Sequence, residues 1–114
     1  MENHYRIVIE SLKLLASSLE EQESYLPDFA DVPDDVISSF ENAFLLLPVL
    51  VERNELTKES IVSILRLNNK VQWCLRNLDL DDFSNTEWNN IREMAKDTLQ
   101  VIGEPAGKPD INHI

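Results

Sequence analysis

Apolar residues recur three and four positions apart along most of the chain, and this spacing predicts amphipathic α-helices. The second predicted helix begins near Pro33 and carries apolar residues as far as Val51. Because proline cannot donate a backbone hydrogen bond within a helix, Pro48 predicts a kink or an early end there. The first predicted helix spans about Asn3 to Leu19, and its apolar face comprises Tyr5, Val8, Ile9, Leu12, Leu15, Ala16 and Leu19.

Two further helices have clear start and stop signals in the sequence. Thr57 is a suitable N-cap for a third helix, because its hydroxyl can accept from a free backbone N–H of the first turn. The run Ser84–Glu87 has the form of a capping box for a fourth helix, and Phe83 and Trp88 are placed to pack together around it. Gly103 is a natural C-terminal cap for this last helix.

The remaining segments complete the predicted architecture. A polar, acidic connection, Glu20–Asp35, joins the first two helices, and residues 104–114 contain two prolines but no apolar period, which predicts a flexible tail. Only Gly103 and Gly107 are glycines, whereas an all-β domain needs glycine at many turns. We therefore predict an all-α, bundle-like single domain of about four amphipathic helices in two helical hairpins, residues 1–103, followed by a flexible C-terminal tail, residues 104–114.

Length and composition fit a protein that folds without disulfides. A chain of 114 residues with 43% hydrophobic residues is long enough to bury one core. The single cysteine cannot form an internal disulfide, no secretory leader opens the chain, and no apolar run approaches the ~20 residues of a membrane span. We therefore expect a cytoplasmic protein that does not contact a membrane.

The residue types that carry chemistry do not form a catalytic or metal-binding pattern. His4 and His113 lie near opposite ends of the chain, without the Glu-x-x-His spacing of di-iron bundles. Cys74 lies on the apolar face of the third predicted helix, where we expect a core residue rather than a nucleophile. The acids of Asp79–Asp82 fail the calcium-loop pattern, because Ser84 occupies the position that requires glycine. We predict no catalytic residue, no metal and no cofactor.

The charge distribution points to a basic partner. The net charge of −11 disfavours direct contact with nucleic acid and favours fast encounter with a basic protein. No lysine or arginine occurs between Lys13 and Arg53, and the acids there are interleaved with Tyr25, Leu26 and Phe29. One interpretation is that these apolar residues pin the connection onto the core while the acids face water; a second, compatible with the first, is that acids and aromatics form a docking surface. In the second interpretation the partner-binding residues are Glu23, Tyr25, Asp28, Phe29, Asp31, Asp34 and Asp35.

A second candidate surface lies on the outer face of the third predicted helix. Arg66, Lys70 and Trp73 fall at i, i+4 and i+7 and therefore share one stripe. A tryptophan beside two cations can be a contact hot spot, or it can pack against the helix with the cations stacked over its ring. The stripe could also pair with the acidic connection of the same molecule.

A long part of the chain resembles a known protein family. The sequence contains SYLPDFADVPDDVISSFENAFLLLPVLVERNELTKESIVSILRLNN and, further on, TEWNNIREMAKDTLQVIGE. These segments, roughly Tyr25 to Glu104, resemble the small all-helical immunity proteins of bacterial contact-dependent growth-inhibition systems; the characteristic parts are LPDFADVP, ELTKES, and TEW before IGE. The resemblance implies a cytoplasmic protein that binds a cognate toxin domain, often a nuclease, and protects the producing cell. It implies no particular site residues, because such proteins bind through surfaces that differ with each toxin.

We therefore expect an antitoxin without enzymatic activity, which covers the active cleft of a basic nuclease domain with an acidic surface. The alternative is a helical adaptor or regulator that recognises a peptide or a host factor, for example by accepting an amphipathic helix in a groove. A small enzyme or ligand binder built inside the bundle would need inward-pointing polar residues, and the predicted inner faces are nearly all apolar. The oligomeric state is left open.

Overall fold

The computed structural model describes residues 3–113, which form helices joined by short connections and, over that range, no strand. The elements are α1 (His4–Ala16), α2 (Leu19–Tyr25), α3 (Val32–Phe44), α4 (Leu47–Glu52), α5 (Lys58–Asn77), α6 (Thr86–Ile102) and a 3₁₀ helix (Ile111–His113). The predicted all-α class is confirmed. The helices are more numerous than the predicted four, because the acidic connection contains α2 and the second predicted helix is divided into α3 and α4.

The helices enclose one apolar core. α1 packs against both α3 and α6, and α5 packs against α6, so the pairs α1–α3 and α5–α6 correspond to the two predicted hairpins. None of the helices within residues 3–113 combines the length and the apolar character needed to cross a membrane. The buried apolar side chains come from every long helix and include Val8, Ile9, Leu12, Leu15, Val36, Phe40, Leu67, Val71, Cys74, Trp88, Ile91, Ala95 and Leu99.

α2 is a helix that the sequence analysis did not predict. The Ser18 side chain accepts a hydrogen bond from the backbone N–H of Glu21, and the Glu21 carboxylate accepts one from the backbone N–H of Ser18. This reciprocal pair is a capping box, and its Ser-x-x-Glu signature is visible in the sequence. Glu20 and Glu21 in the first turn also lie at the positive end of the helix dipole, so α2 forms where a loop was expected.

The division between α3 and α4 has its cause in Pro48. The proline lies in the first turn of α4, where its missing N–H has no consequence. Continuing α3 through this point would bring the ring against the carbonyl of Phe44, four residues earlier. α3 therefore ends at Phe44, and Leu46 donates to the Ala43 carbonyl in a tighter turn. The predicted early end of the helix is confirmed.

The predicted caps of the long C-terminal helices are mostly correct. Thr57 accepts from the backbone N–H of Ser60 at 3.1 Å, and Gly103 has the left-handed conformation with φ of 96°. The predicted cap of α6 is wrong by one residue: Asn85, not Ser84, accepts from the first turn. Asn and Ser are about equally good caps, so local chemistry does not distinguish adjacent candidates.

Residues 104–113 lie along α1. The Glu104 carboxylate accepts from the hydroxyl of Tyr5 at 2.8 Å, and the buried Glu10 carboxylate accepts from the backbone N–H of Asp110 at 2.8 Å. Pro109 is buried. The flexibility expected for this tail stays a prediction, but its movement would have to break these specific contacts.

We expect Trp88→Ala to lower the free energy of unfolding by about 3–5 kcal/mol, because the side chain is 1% exposed and its ring centroid lies 5.1 Å from that of Phe83. Trp73→Ala is the matched control, since that ring is 42% exposed and should cost less than about 1 kcal/mol. Urea denaturation measures both values. Equal losses in the two variants would contradict the assignment of Trp88 to the core.

We also expect Tyr5 to titrate with a pKa of about 12, because partial burial and its hydrogen bond to Glu104 both favour the neutral phenol. Since the pKa of Tyr5 is higher in the folded protein than in the unfolded chain, the neutral phenol contributes fully to the free energy of unfolding below about pH 10. This contribution is lost as the pH rises through about 12. Phenolate absorbance in a Tyr25→Phe background isolates Tyr5. Adding Glu104→Gln should lower the pKa of Tyr5 but leave it above the ordinary value. If Tyr5 titrates normally while Glu104 is present, the hydrogen bond between the two side chains is absent.

Candidate partner-binding surface

The predicted partner-binding residues begin on α2, which is fixed to the interior by Gln22. This side chain is fully buried, and its Nε2 donates to the carbonyls of Leu14 and Leu15 at 3.0 and 3.3 Å. These carbonyls belong to the C-terminal turn of α1, and that of Leu14 also accepts from the backbone N–H of Ser17 at 3.2 Å. The Gln22 Oε1 accepts from Arg92 Nη2 of α6 at 3.2 Å. Gln22 thus connects α1, α2 and α6.

Arg92 completes this buried polar cluster without a carboxylate. Its Nη2 also donates to the Phe83 carbonyl at 2.9 Å and its Nη1 to Asn89 Oδ1 at 2.7 Å, while the guanidinium carbon lies 4.6 Å from the Phe83 ring centroid. Burial lowers the pKa of Arg92 from its ordinary value. No acidic side chain pairs with it within residues 3–113, so its charge is stabilised by neutral acceptors and by the negative end of the α1 dipole.

These buried polar residues were not predicted from the sequence. Glu10, Gln22 and Arg92 are almost completely buried, so the expectation of a nearly apolar interior is wrong. A signal was present for Arg92, which lies four residues after Trp88 and therefore on the apolar face of α6. Because each of these groups is hydrogen-bonded to other parts of the chain, the buried polar residues serve the fold in this structure.

Between α2 and α3 the chain makes a turn that carries Phe29 into solvent. The Ala30 N–H donates to the Pro27 carbonyl at 2.9 Å, which is the hydrogen bond of a four-residue turn with Phe29 at its third position. Phe29 is 92% exposed, whereas Tyr25 and Leu26 are partly buried and pack against the core. The pinning interpretation is therefore correct for Tyr25 and Leu26 and wrong for Phe29.

The acids at the start of α3 also serve the helix. Asp31 is its N-cap and accepts from the backbone N–H of Asp34 at 3.3 Å, and Pro33 lies in the first turn as predicted. Asp34 and Asp35 lie in that turn, where negative charge opposes the positive end of the dipole. Their presence in the sequence is explained in part by helix capping, so acidity alone does not identify a binding surface.

The structure places the predicted partner-binding residues on consecutive elements, namely α2, the turn and the first turn of α3. We call this set the acidic surface: Glu23, Tyr25, Asp28, Phe29, Asp31, Asp34 and Asp35.

A base lies beside one part of the acidic surface. Lys108 of the tail lies with its Nζ 5.8 Å from the Tyr25 ring centroid, and the Tyr25 hydroxyl donates to Glu21 at 3.3 Å. Within residues 3–113, in contrast, none of Asp28, Asp31, Asp34 and Asp35 forms an ion pair. The negative charge around Phe29 is therefore not neutralised by the described part of the chain.

The second candidate stripe on α5 is partly engaged within the molecule. Lys70 forms an ion pair with Glu87 of α6, and its Nζ lies 4.6 Å from the Trp73 ring centroid. The stacked arrangement is thus present, and Lys70 pairs with α6 rather than with the acidic connection. Trp73 remains 42% exposed and Arg66 is exposed, so the role of Arg66, Lys70 and Trp73 as a secondary partner-binding site stays a prediction.

The candidate catalytic groups do not gather into a site. Cys74 is fully buried, and burial raises the pKa of its thiol, which disfavours the thiolate needed for nucleophilic attack. Among residues 3–113 no group of three or more His, Cys, Asp and Glu side chains is arranged to hold a metal ion. The predicted core position of Cys74 is confirmed.

Comparison with known proteins does not assign a role to any of these residues. The chain matches no protein-family model, no curated protein and no solved structure.

We expect Phe29→Ala to change the free energy of unfolding by less than about 0.5 kcal/mol, because the ring has little contact to lose. Leu26→Ala, three residues earlier in the same connection, should cost more, since Leu26 packs against the core. Thermal and urea unfolding of the two variants provide the comparison. A larger loss for Phe29→Ala would mean that the ring pins the connection after all.

Proposed function

We propose that the protein is an immunity protein, which binds and neutralises a cognate toxin domain by covering the active cleft of a basic nuclease with the acidic surface. The observation that carries the proposal is Phe29, a 92% exposed aromatic residue that follows Asp28 and precedes Asp31 by two positions, and neither acid forms an ion pair within residues 3–113. The resemblance of LPDFADVP and the adjoining segments to immunity proteins supports it. The protein itself acts without enzymatic activity.

The physical match between such partners supports the proposal. A nuclease must present a basic cleft to hold phosphates, and an acidic surface has the complementary potential. Long-range attraction raises the association rate, which suits a protein that must capture a toxin before it acts. An aromatic ring such as Phe29 supplies what charge alone does not, namely apolar area that slows dissociation once the surfaces meet.

The alternative function is a helical adaptor or regulator that binds a peptide or a host factor. The exposed apolar side chains Leu45, Val51 and Leu65 favour this alternative, because grooves of this kind accept amphipathic helices. The two functions differ in one measurable respect. An immunity protein abolishes the activity of a toxin encoded beside it at near-stoichiometric amounts, whereas an adaptor leaves that activity unchanged.

We expect neutralisation of the acidic surface to act on association. The triple variant Asp28→Asn, Asp31→Asn, Asp35→Asn retains a good N-cap at position 31 and should slow binding to the neighbouring gene's toxin domain about tenfold at low salt. It should also flatten the salt dependence of the association rate. Phe29→Ala should instead speed dissociation about 30-fold, equivalent to about 2 kcal/mol. Stopped-flow or surface-based kinetics resolve the two rate constants.

The matched control is Asp81→Asn, Glu93→Gln, Asp97→Asn, which removes the same charge from exposed positions outside the acidic surface. It should have a clearly smaller effect on association. Inhibition of nuclease activity is measured in parallel, with unfolding curves for every variant. If the triple variant at positions 28, 31 and 35 is folded and both rate constants are unchanged, the contact lies elsewhere and the α5 stripe is tested next.

A further inference from the structure

A groove runs between the α3–α4 corner and α5, at the opposite end of α3 from the acidic surface. Its volume is about 550 Å³, and its walls are Phe44, Leu45, Leu47, Pro48, Val51 and Leu65, with Glu52 at the edge. It continues past Phe44 and Leu45 into a smaller region bordered by Glu41, Asn68 and Gln72. We call the two regions together the corner groove.

The corner groove has its origin in the Pro48 break. Because α3 ends at Phe44, Leu45 lies at a helix C-terminus with nothing packed over it and is 74% exposed. Val51 on α4 and Leu65 on α5 are 41% and 42% exposed and line the same groove. Single exposed apolar residues are ordinary on protein surfaces, but three large ones around one groove form a patch that is typical of binding sites.

The charges around the corner groove have one sign. Glu41 and Glu52 are the only charged residues among those that line it in residues 3–113. α3 ends beside it without a basic residue in its last turn, so the negative end of that helix dipole adds to this potential, whereas the short α4 has Arg53 as its C-cap. The α5–α6 groove lacks this bias, because Lys58 and Arg66 there balance Glu59 and Asp97.

We propose that the corner groove binds an amphipathic, basic helix of a partner protein. The apolar stripe of that helix packs on Leu45, Val51 and Leu65, and lysine or arginine side chains at its two ends pair with Glu41 and Glu52. A second copy of this chain is disfavoured as occupant, because two molecules of net charge −11 repel each other. The inference is independent of the toxin-binding proposal. α3 separates the two surfaces by about 20 Å, so both can be occupied together.

The test uses the full chain, isotopically labelled, and a synthetic amphipathic helix made of leucine and lysine. We expect its addition to shift amide resonances of residues 41–52 and 65–72. A peptide with glutamate in place of lysine should not bind, and a scrambled leucine–lysine peptide without an apolar stripe should bind about tenfold more weakly.

Variants locate the binding site independently of the resonance shifts. Val51→Ser should weaken peptide binding about tenfold, whereas Val101→Ser, at 47% exposure a close match to Val51, should leave it unchanged. Glu41→Gln with Glu52→Gln should weaken binding and reduce its salt dependence. The triple variant at positions 28, 31 and 35 should bind the peptide as the parent protein does.

Two results would overturn the proposal. One is peptide binding that Val51→Ser does not weaken, or that the triple variant at positions 28, 31 and 35 abolishes. Either observation would place the peptide on another surface. The other is a concentration-dependent shift of the corner-groove resonances without peptide, which would identify a second copy as occupant. Neither result bears on toxin neutralisation, because that is measured by the activity of the toxin and the acidic-surface variants.

Discussion

The side chains of Gln22 and Arg92 meet in the interior, and several segments of the chain depend on this contact. A buried guanidinium without a carboxylate needs acceptors for its donors: Nη1 and Nη2 donate to Asn89, Gln22 and the Phe83 carbonyl, whereas Nε has no hydrogen-bond partner within residues 3–113. Gln22 Nε2 in turn donates to the carbonyls of Leu14 and Leu15 at the end of α1. Removing Arg92 would leave the buried Gln22 Oε1 without its donor, whereas removing Gln22 would take one acceptor from Arg92 Nη2 and one donor from the carbonyls at the end of α1.

This internal contact has a consequence on the surface. Because Gln22 fixes α2 against α1 and α6, only Leu26–Asp31 remain to connect α2 with the start of α3. The connection is closed by the Pro27–Ala30 turn and by the Asp31 cap, so Phe29 is presented by an ordered segment. A preorganised anchor loses less conformational entropy on binding than the same ring on a loose loop.

The acids of the acidic surface and those of the corner groove have different effects on the helices that carry them. At the start of α3 the acids oppose the positive end of the helix dipole, so they stabilise the fold as well as provide negative potential to a partner. At the corner groove Glu41 and Glu52 lie near helix C-termini, where negative charge does not stabilise the helix. Glu41 also accepts from Gln72 Nε2 of α5 at 3.1 Å, so this acid joins α3 to α5 as well as contributing negative potential at the groove.

Features determined by neighbouring residues were readable from the sequence. The helical spacing, the Thr57 and Gly103 caps, the break at Pro48 and the pairing of Phe83 with Trp88 each involve residues within a few positions of one another. α2 also depends on neighbouring residues, since the Ser-x-x-Glu signature of its capping box is present in the sequence. The acidic surface was also predicted as a set, because its members are close in the chain.

Other features depend on residues that are distant in the chain, and only the tertiary structure decided them. Gln22 and Arg92 are 70 positions apart, and Glu10 and Asp110 are 100 apart, so no local pattern shows that their polar groups are paired and buried. The same holds for Phe29 and Leu26: both are apolar residues in one acidic connection, and the direction of a single turn places one in solvent and the other against the core. The sequence by itself determined which segments are helical and where acids and apolar residues coincide. Which of those residues remain exposed was decided by packing, because exposure depends on what the rest of the chain covers.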